Sequence, residues 1–333
     1  MKAQPNELPP VTRSMGLLLV LGGLVAASVS LTLGQRRQQV SSPSRPVQPS
    51  TAPSTLTEDV PVIINTELVT VMVSVTDRDG RHVSGLEKAA FTLYDDKYPQ
   101  EIKFFSDSDT PISLAIIFDT SNSMEGDQFM RARTALAHFV ETSHRKDEYF
   151  LIDFNDRVRL LLDGTRDHDA LLAKLTYVKP HGETALYDAT YLGVEKVSQG
   201  SHSRRAILLV TDGNDTCSRY KFKELQQSLE ESDLVLYAIG ILAFSRSEAR
   251  AGRTTLKTLA SVTGGKAFFP NNAAAMIEAF EQIALDLRSQ YSLGYRPLDL
   301  TRESKWHRIK VEVKTPDSAR LLVRSREGVY APQ

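Results

Sequence analysis

The sequence predicts an α/β fold: a doubly wound, mostly parallel sheet flanked by helices, inserted in a small all-β sandwich and preceded by a transmembrane or signal helix. Three observations predict it. Over residues 111–288, short apolar runs alternate with stretches of helical spacing, as strands buried on both faces between covering helices require. The flanks, 60–108 and 291–330, carry β-branched and alternating runs instead, and neither alone shows a complete core. Near the start, residues 15–33 contain no charged side chain.

Composition narrows the function classes. Lys plus Arg (40) nearly cancels Asp plus Glu (41), so there is no basic footprint for nucleic acid. Cys217 is the only cysteine. An intramolecular disulfide is therefore excluded, and a Cys-ligated zinc or iron–sulfur site is disfavoured. With 41% apolar residues, the fold rests on its hydrophobic core.

Residues 1–14 read as a tail and 15–34 as the hydrophobic segment. About 20 apolar residues span a bilayer as a helix, whereas the apolar core of a cleaved signal is about 7–15. The length favours an uncleaved anchor; Ala26, Ala27 and Ser28 would suit a signal peptidase as the alternative. Arg13 precedes the segment and Arg36 and Arg37 follow it, so charge bias sets no orientation. Residues 35–59, with Pro43, Pro46, Pro49 and Pro53 among Ser and Thr, read as an extended tether. A tether leading to a folded mass places that mass outside the cytoplasm, anchored to the membrane, or secreted if the segment is cleaved.

In the first flank, 60–108, residues 68–75 form a strand, Asp77-Arg78-Asp79-Gly80 a turn, and 81–83 the returning arm of a hairpin. Asp77 and Asp79 do not open a calcium loop, because position 88, which would need a bidentate Glu, is Lys88. Residues 91–94 and 102–105 are further strands. The α/β part, 109–290, opens with a continuous apolar strand at 112–118. A helix at 124–143 follows, then paired strands at 149–152 and 158–162, and helices at 169–177 and 186–198. A second buried strand occupies 206–210. Helices at 222–231, 254–262 and 273–288 alternate with strands at 234–241 and 266–269. The last flank, 291–333, carries strands at 291–295, 307–313 and 321–323; it pairs with the first flank to close one sandwich.

Directly after the first buried strand stands Asp119-Thr120-Ser121-Asn122-Ser123. In an open α/β sheet, ligands bind at the carboxyl ends of strands. Asp119, Ser121 and Ser123 alternate, so an extended start to the loop aims all three the same way. A second loop, Gly182-Glu183-Thr184, offers the Thr184 hydroxyl, and a third, Thr211-Asp212-Gly213, offers Asp212. Two carboxylates and three hydroxyls form a hard-oxygen set for one divalent cation, Mg²⁺ first, with Mn²⁺ or Ca²⁺ as alternatives. Five protein positions leave room for an external oxygen. The strongest candidate is an Asp or Glu carboxylate of a protein partner.

Asp119, Ser121, Ser123, Thr184 and Asp212 resemble the metal-ion-dependent adhesion site of von Willebrand factor A domains, also found in integrin I domains; the resemblance covers about residues 111–290. It implies a non-enzymatic adhesion or assembly module. The whole layout is similar to a group of bacterial von Willebrand A-type proteins known mostly from acidobacterial genomes. The likeness lies in the hydrophobic segment, in Phe91-Thr92-Leu93-Tyr94-Asp95-Asp96 with Gln100-Glu101-Ile102, and in Tyr291-Ser292-Leu293-Gly294-Tyr295 with His307-Arg308-Ile309-Lys310-Val311. It implies a cell-envelope protein and names no ligand. Resemblance to integrin I domains further implies that the last helix, 273–288, shifts on ligand binding.

Two rival functions are a metal-dependent hydrolase and an envelope scaffold whose metal only stabilises the fold. The hydrolase needs a general base beside the metal, and only His181 and Glu183 offer one. Gly264-Gly265-Lys266 reads as a helix C-cap rather than a phosphate loop, Cys217 as a bland loop or packing cysteine, and Asp153 and Asp156 as turn residues. Tyr291, Tyr295 and Trp306 read as sandwich filling.

Overall fold

The computed structural model describes residues 68–241, 246–297, 306–315 and 321–330. The hydrophobic segment 15–34 and the tether 35–59 lie outside the described residues. Among the described residues, no helix is long and apolar enough to cross a membrane.

Four strands come first: β1 (Val69–Thr76), β2 (Phe91–Asp95), β3 (Tyr98–Gln100) and β4 (Ile102–Ser106). The α/β part follows as β5 (Ile112–Asp119), α1 (Asp127–Thr142), β6 (Glu148–Phe154), β7 (Val158–Thr165), α2 (His168–Tyr177) and α3 (Leu186–Ser198). It continues through β8 (Arg204–Thr211), α4 (Phe222–Glu231), β9 (Val235–Gly240), α5 (Arg246–Val262), β10 (Ala267–Phe268) and α6 (Ala273–Arg288). β11 (Tyr291–Tyr295), β12 (Trp306–Val313), β13 (Leu322–Ser325) and β14 (Gly328–Tyr330) end the described chain.

The central sheet runs β10-β9-β8-β5-β6-β7, parallel throughout except for the antiparallel pair β6–β7. Every residue of β5 is buried. Its alternation sorts the core: Leu114, Ile116 and Phe118 join α1 and α6 on one face, and Ala115 and Ile117 join α3, α4 and α5 on the other. From β5 the chain builds outward through β6 and β7, then crosses to β8 on the opposite side. The strand order therefore switches between β5 and β8, and a crevice opens beyond their carboxyl ends.

The two flanks interleave. One four-stranded sheet runs β13-β1-β11-β4 and another β14-β12-β2-β3, so each combines strands from before and after the α/β part. Val71 pairs with Leu293 and Leu93 with Val311, and these side chains share one core with Tyr291, Tyr295 and Ile309. Neither flank could bury these residues alone. At one edge of that core the Tyr295 hydroxyl donates to Asp95 Oδ2 (2.9 Å), and His307 Nδ1 lies 2.8 Å from Asp95 Oδ1, so the buried carboxylate is satisfied from two strands.

Several elements differ from the sequence expectation. The returning arm at 81–83 forms only a single bridge, Thr76 to His82. Asp77 closes the turn by accepting the N–H groups of Asp79 and Arg81 (2.9 Å each), and the chain then peels away. Tyr291 secures it there by donating to the Val83 carbonyl. Strand β3 was missed because Pro99 argues against a strand; it is tolerated at a sheet edge, where its missing N–H costs nothing. Helix α5 begins at Arg246 and not at 254, because Gly252, which reads as a breaker, is used instead for close packing. Gly264 (φ +79°) does cap α5, and the Gly265 N–H reaches back to the Ala260 carbonyl (2.9 Å).

Buried polar groups weld the sandwich to the sheet. On α6, Asp286 accepts from Ser74 of β1 and from Arg324 of β13, and Arg324 also donates to Ser74 (3.0 Å). Arg204 of β8 donates to the Leu287 carbonyl near the end of α6, and Gln290 donates to the buried Tyr237 hydroxyl (2.8 Å). Removing one partner leaves the other charge stranded. Asp286→Ala is therefore expected to lower unfolding free energy by about 2–3 kcal/mol, discounted because Arg324 is partly exposed; urea denaturation measures it, with Asp286→Asn losing less.

Candidate functional site

The crevice beyond β5 and β8 gathers the sequence-predicted loops. Asp119 is the last residue of β5 and is fully buried. Its Oδ1 accepts the Ser121 N–H (2.9 Å), which bends the chain so that the Ser121 and Ser123 hydroxyls lie 2.9 Å apart. Ser121 is buried and Ser123 exposed, so this hydroxyl pair runs from the interior to the surface. A short 3₁₀ turn, Asn122–Met124, holds the arrangement and inserts Met124 into the core.

The second loop is laced to the first. The His181 N–H donates to the Thr120 carbonyl (2.7 Å), and the Asn122 N–H donates to the Gly182 carbonyl (3.0 Å). Gly182 sits at φ +79°, and a methyl group there would meet Asp156 Oδ1 at 2.4 Å, so this turn requires glycine. Thr184 follows, 4% exposed, one residue short of the α3 N-cap. The third loop closes the ring. Thr184 donates its N–H to Thr216 Oγ1 (2.9 Å) and accepts the Thr216 N–H on its carbonyl (2.9 Å). Asp212, 2% exposed, accepts the Asn214 N–H (2.9 Å). The three loops carrying Asp119, Ser121, Ser123, Thr184 and Asp212 thus meet at one rim.

Electrostatics at the rim are unbalanced. Burial pushes the Asp119 carboxyl up to about 7; hydrogen bonds from Thr211 and Ser121 work the other way, and the negative charge of Asp212 pushes it further up. Among the described residues, neither carboxylate has an ion-pair partner. The donor set is all oxygen, and the carboxylate oxygens keep lone pairs beyond the bonds they accept from the protein. A divalent cation would relieve the clustered charge, so the residues fit one. Mg²⁺ prefers this kind of hard-oxygen environment.

Thr211 escaped sequence reading. Its hydroxyl donates to Asp119 Oδ2 (2.6 Å) and accepts the Gly213 N–H (3.1 Å), joining the two acidic loops. The available signal was a hydroxyl at a strand end directly before Asp212. The other missed contribution is α5. Gly213 (φ +87°) lies against the α5 backbone, and a methyl group on Gly252 would meet the Asp212 carbonyl at 2.1 Å.

The discounted residues fall as follows. His181 Nδ1 lies 2.9 Å from the Lys179 carbonyl and Nε2 lies 2.8 Å from Asn155 Nδ2. Nδ1 therefore donates and Nε2 accepts, and both ring nitrogens are engaged. Glu183 is exposed. Cys217 is half-buried, and burial raises its thiol pKa, the opposite of an activated nucleophile. Asp153 is not a turn residue: it lies buried in β6 and pairs with Arg159 across the β6–β7 hairpin (Nε–Oδ1 3.0 Å). A cross-strand ion pair leaves no trace in local composition.

Comparisons with known proteins agree with this architecture. The family model for the von Willebrand factor type A domain matches residues 113–282. An uncharacterized protein of Synechocystis sp. is 26% identical over 116 residues, which cover 32% of this chain and 28% of the relative. Inter-alpha-trypsin inhibitor heavy chain H2 of Mus musculus is 24% identical over 146 residues, covering 39% of this chain and 15% of the relative. The matches thus span less than a third of those relatives' lengths. A von Willebrand factor type A structure from Catenulispora acidiphila superposes with TM-score 0.46 at 12% identity, covering 80% of this chain and 74% of that one. The vWF domain of the type V pili tip protein Mfa5 from Porphyromonas gingivalis gives TM-score 0.43 at 13% identity, covering 52% of this chain and 94% of that one.

The close approach of α5 to the rim generates a test. Alanine normally favours a helix over glycine by about 1 kcal/mol. Gly252→Ala should instead destabilise by about 1–3 kcal/mol, because the added methyl collides with the Asp212 backbone. Urea denaturation reads the sign; a stabilised variant would mean that the contact is loose.

Proposed function

Because the chain belongs to the von Willebrand factor type A domain family over residues 113–282, we propose that it is a metal-dependent protein-binding module of the bacterial cell envelope. It grips an Asp or Glu carboxylate of a protein partner. The observation that supports this best is the meeting of three loops at the β5–β8 switch point, with two buried carboxylates and, among the described residues, no basic side chain paired with them. Asp119 and Asp212 would neutralise a divalent cation, Mg²⁺ in the first instance with Mn²⁺ or Ca²⁺ as substitutes, and Ser121, Ser123 and Thr184 would supply neutral oxygens. When bound, the cation offers a hard positive charge to an external oxygen. The Thr211 hydroxyl and the Ser121 N–H hold Asp119 in place. In this reading the apolar segment 15–34 anchors the chain in the membrane, and 35–59 is the tether carrying the folded part outside the cytoplasm.

Metal binding and its consequence are separable in one set of measurements. Mg²⁺ at about 100 times its Kd should stabilise the wild type by about 2.7 kcal/mol, a rise in Tm of roughly 5–10 °C for a domain of this size. Asp119→Ala and Asp212→Ala should lose that rise. Partner capture from envelope extracts should occur in Mg²⁺ and disappear with chelator and with Asp212→Ala. Capture that is equal in Mg²⁺ and chelator would overturn the adhesive role. A Tm rise without metal-dependent capture would leave a purely stabilising metal.

A further inference from the structure

We propose that the cleft between α3, α4 and α5 is an anion subsite that reads a second acidic side chain of the protein partner; this rests on the rim reading above. The cleft has a volume of about 780 Å³, and Tyr187, Phe222, Arg246, Arg250, Thr254 and Thr258 line it. No carboxylate is among its described lining residues. Arg246, Arg250, Thr254 and Thr258 follow one another at intervals of four, so they form a single row along α5. Two arginines at this spacing repel each other, and they stand towards the positive end of the helix dipole, where a cation is disfavoured. Among the described residues, neither guanidinium has an ion-pair partner. The nearest acid on the helix, Glu248, lies two residues from each arginine and therefore faces elsewhere.

This arrangement works against the free helix and suits an anion. The Thr254 and Thr258 hydroxyls donate back to the Arg250 and Thr254 carbonyls (2.9 and 3.0 Å), and the guanidinium groups are the charged donors among the cleft's described lining residues. Their planar forks match a carboxylate. Tyr187 and Phe222, edge to face at 5.9 Å, form an apolar wall of this open cleft, in which both arginines are exposed.

The cleft adjoins the rim. Gly252, between Arg250 and Thr254, packs on the Asp212–Gly213 backbone. Tyr187 lies three residues after Thr184, and its N–H donates to Ser218 Oγ (3.0 Å) in the loop that follows Asp212. Arg246 is six residues from Gly252, roughly 9 Å along the helix axis. Three residues of an extended partner segment cover about 10 Å. One acidic segment can therefore place one carboxylate at the rim and another at the arginines.

The test uses the full chain in detergent, with Mg²⁺ present, and two fluorescein-labelled peptides: hexaglutamate, and a matched hexamer with one Glu among Ser residues. Fluorescence anisotropy should show hexaglutamate binding about tenfold tighter, the scale of one charge-assisted pair. In Arg246→Gln/Arg250→Gln, that ratio should fall to about two or less, while the charge-matched control Lys103→Gln/Lys174→Gln should keep it. An unchanged ratio in the arginine variant, a ratio near one in the wild type, or no hexaglutamate binding would each overturn the subsite. If inorganic phosphate raises the Tm through these arginines while hexaglutamate fails to bind, the cleft belongs to a small anion and the proposal is equally overturned. Chelator separates the two readings. Binding of both peptides that is indifferent to chelator sinks the rim reading, whereas the dependence of the ratio on Arg246 and Arg250 reports on the cleft alone.

Discussion

Two carboxylates stand side by side where water is scarce, and the rest of the site is arranged around their unbalanced charge. Elsewhere among the described residues a buried acid finds a basic neighbour or backbone donors. Asp153 has Arg159, Asp286 has Arg324, and Asp95 has His307 with the Tyr295 hydroxyl. Asp147 has the N–H groups of Ile112 and His144. Asp119 has hydroxyl and N–H donors from Thr211 and Ser121 but, among the described residues, no basic neighbour, and the Asp212 charge presses on it. Burying ionised groups without a counter-charge is costly. In the proposed function, a cation supplied from outside would offset that cost.

The topology places this pair. Adjacent parallel strands β5 and β8 end together, and the connection that builds β6 and β7 leaves their ends uncovered by any crossover. The loops there stay exposed at their tips and rigid at their bases, since Thr120, Asn122, His181 and Thr216 each contribute a backbone hydrogen bond between loops. Rigid bases would serve the proposed cation, because a metal site works best with its oxygens held in place beforehand. Gly182, Gly213 and Gly252 permit the close approaches on which these bases depend.

Much of this was legible in the sequence because it is written in local pattern. The buried strands announce themselves as apolar runs, and the strand-end Asp-x-Ser-x-Ser is contiguous. The sandwich followed from the incompleteness of each flank, a negative observation that pointed to partners far apart in sequence, such as Val71 and Leu293. What stayed hidden depends on relations across space. The Thr211 bond to Asp119, the Asp153–Arg159 pair and the ties on Asp286 join residues whose neighbours in sequence give no hint. The first turns of α5 were hidden for another reason. Gly252 reads as a helix breaker, and only the Asp212 backbone pressing against it explains why a glycine belongs there. With the helix start misplaced, the four-residue spacing of Arg246, Arg250, Thr254 and Thr258 could not be recognised as a face.

The sandwich is more than a pedestal, because it fixes one end of α6. Only Ser289 and Gln290 separate that helix from β11, which is held between β1 and β4. Gln290 is itself bonded to Tyr237 in the central sheet, and Asp286 is bonded to strands on the sandwich side. An axial slip of α6 would have to break the Asp286 and Gln290 bonds together or shift the β1–β11 register, and a one-residue shift would turn Leu293 out of its core. Small displacements are therefore resisted, and a large one would have to break several buried bonds together. The helix that resemblance to integrin I domains implies is movable is tied to β1 and β13 through one buried side chain, Asp286.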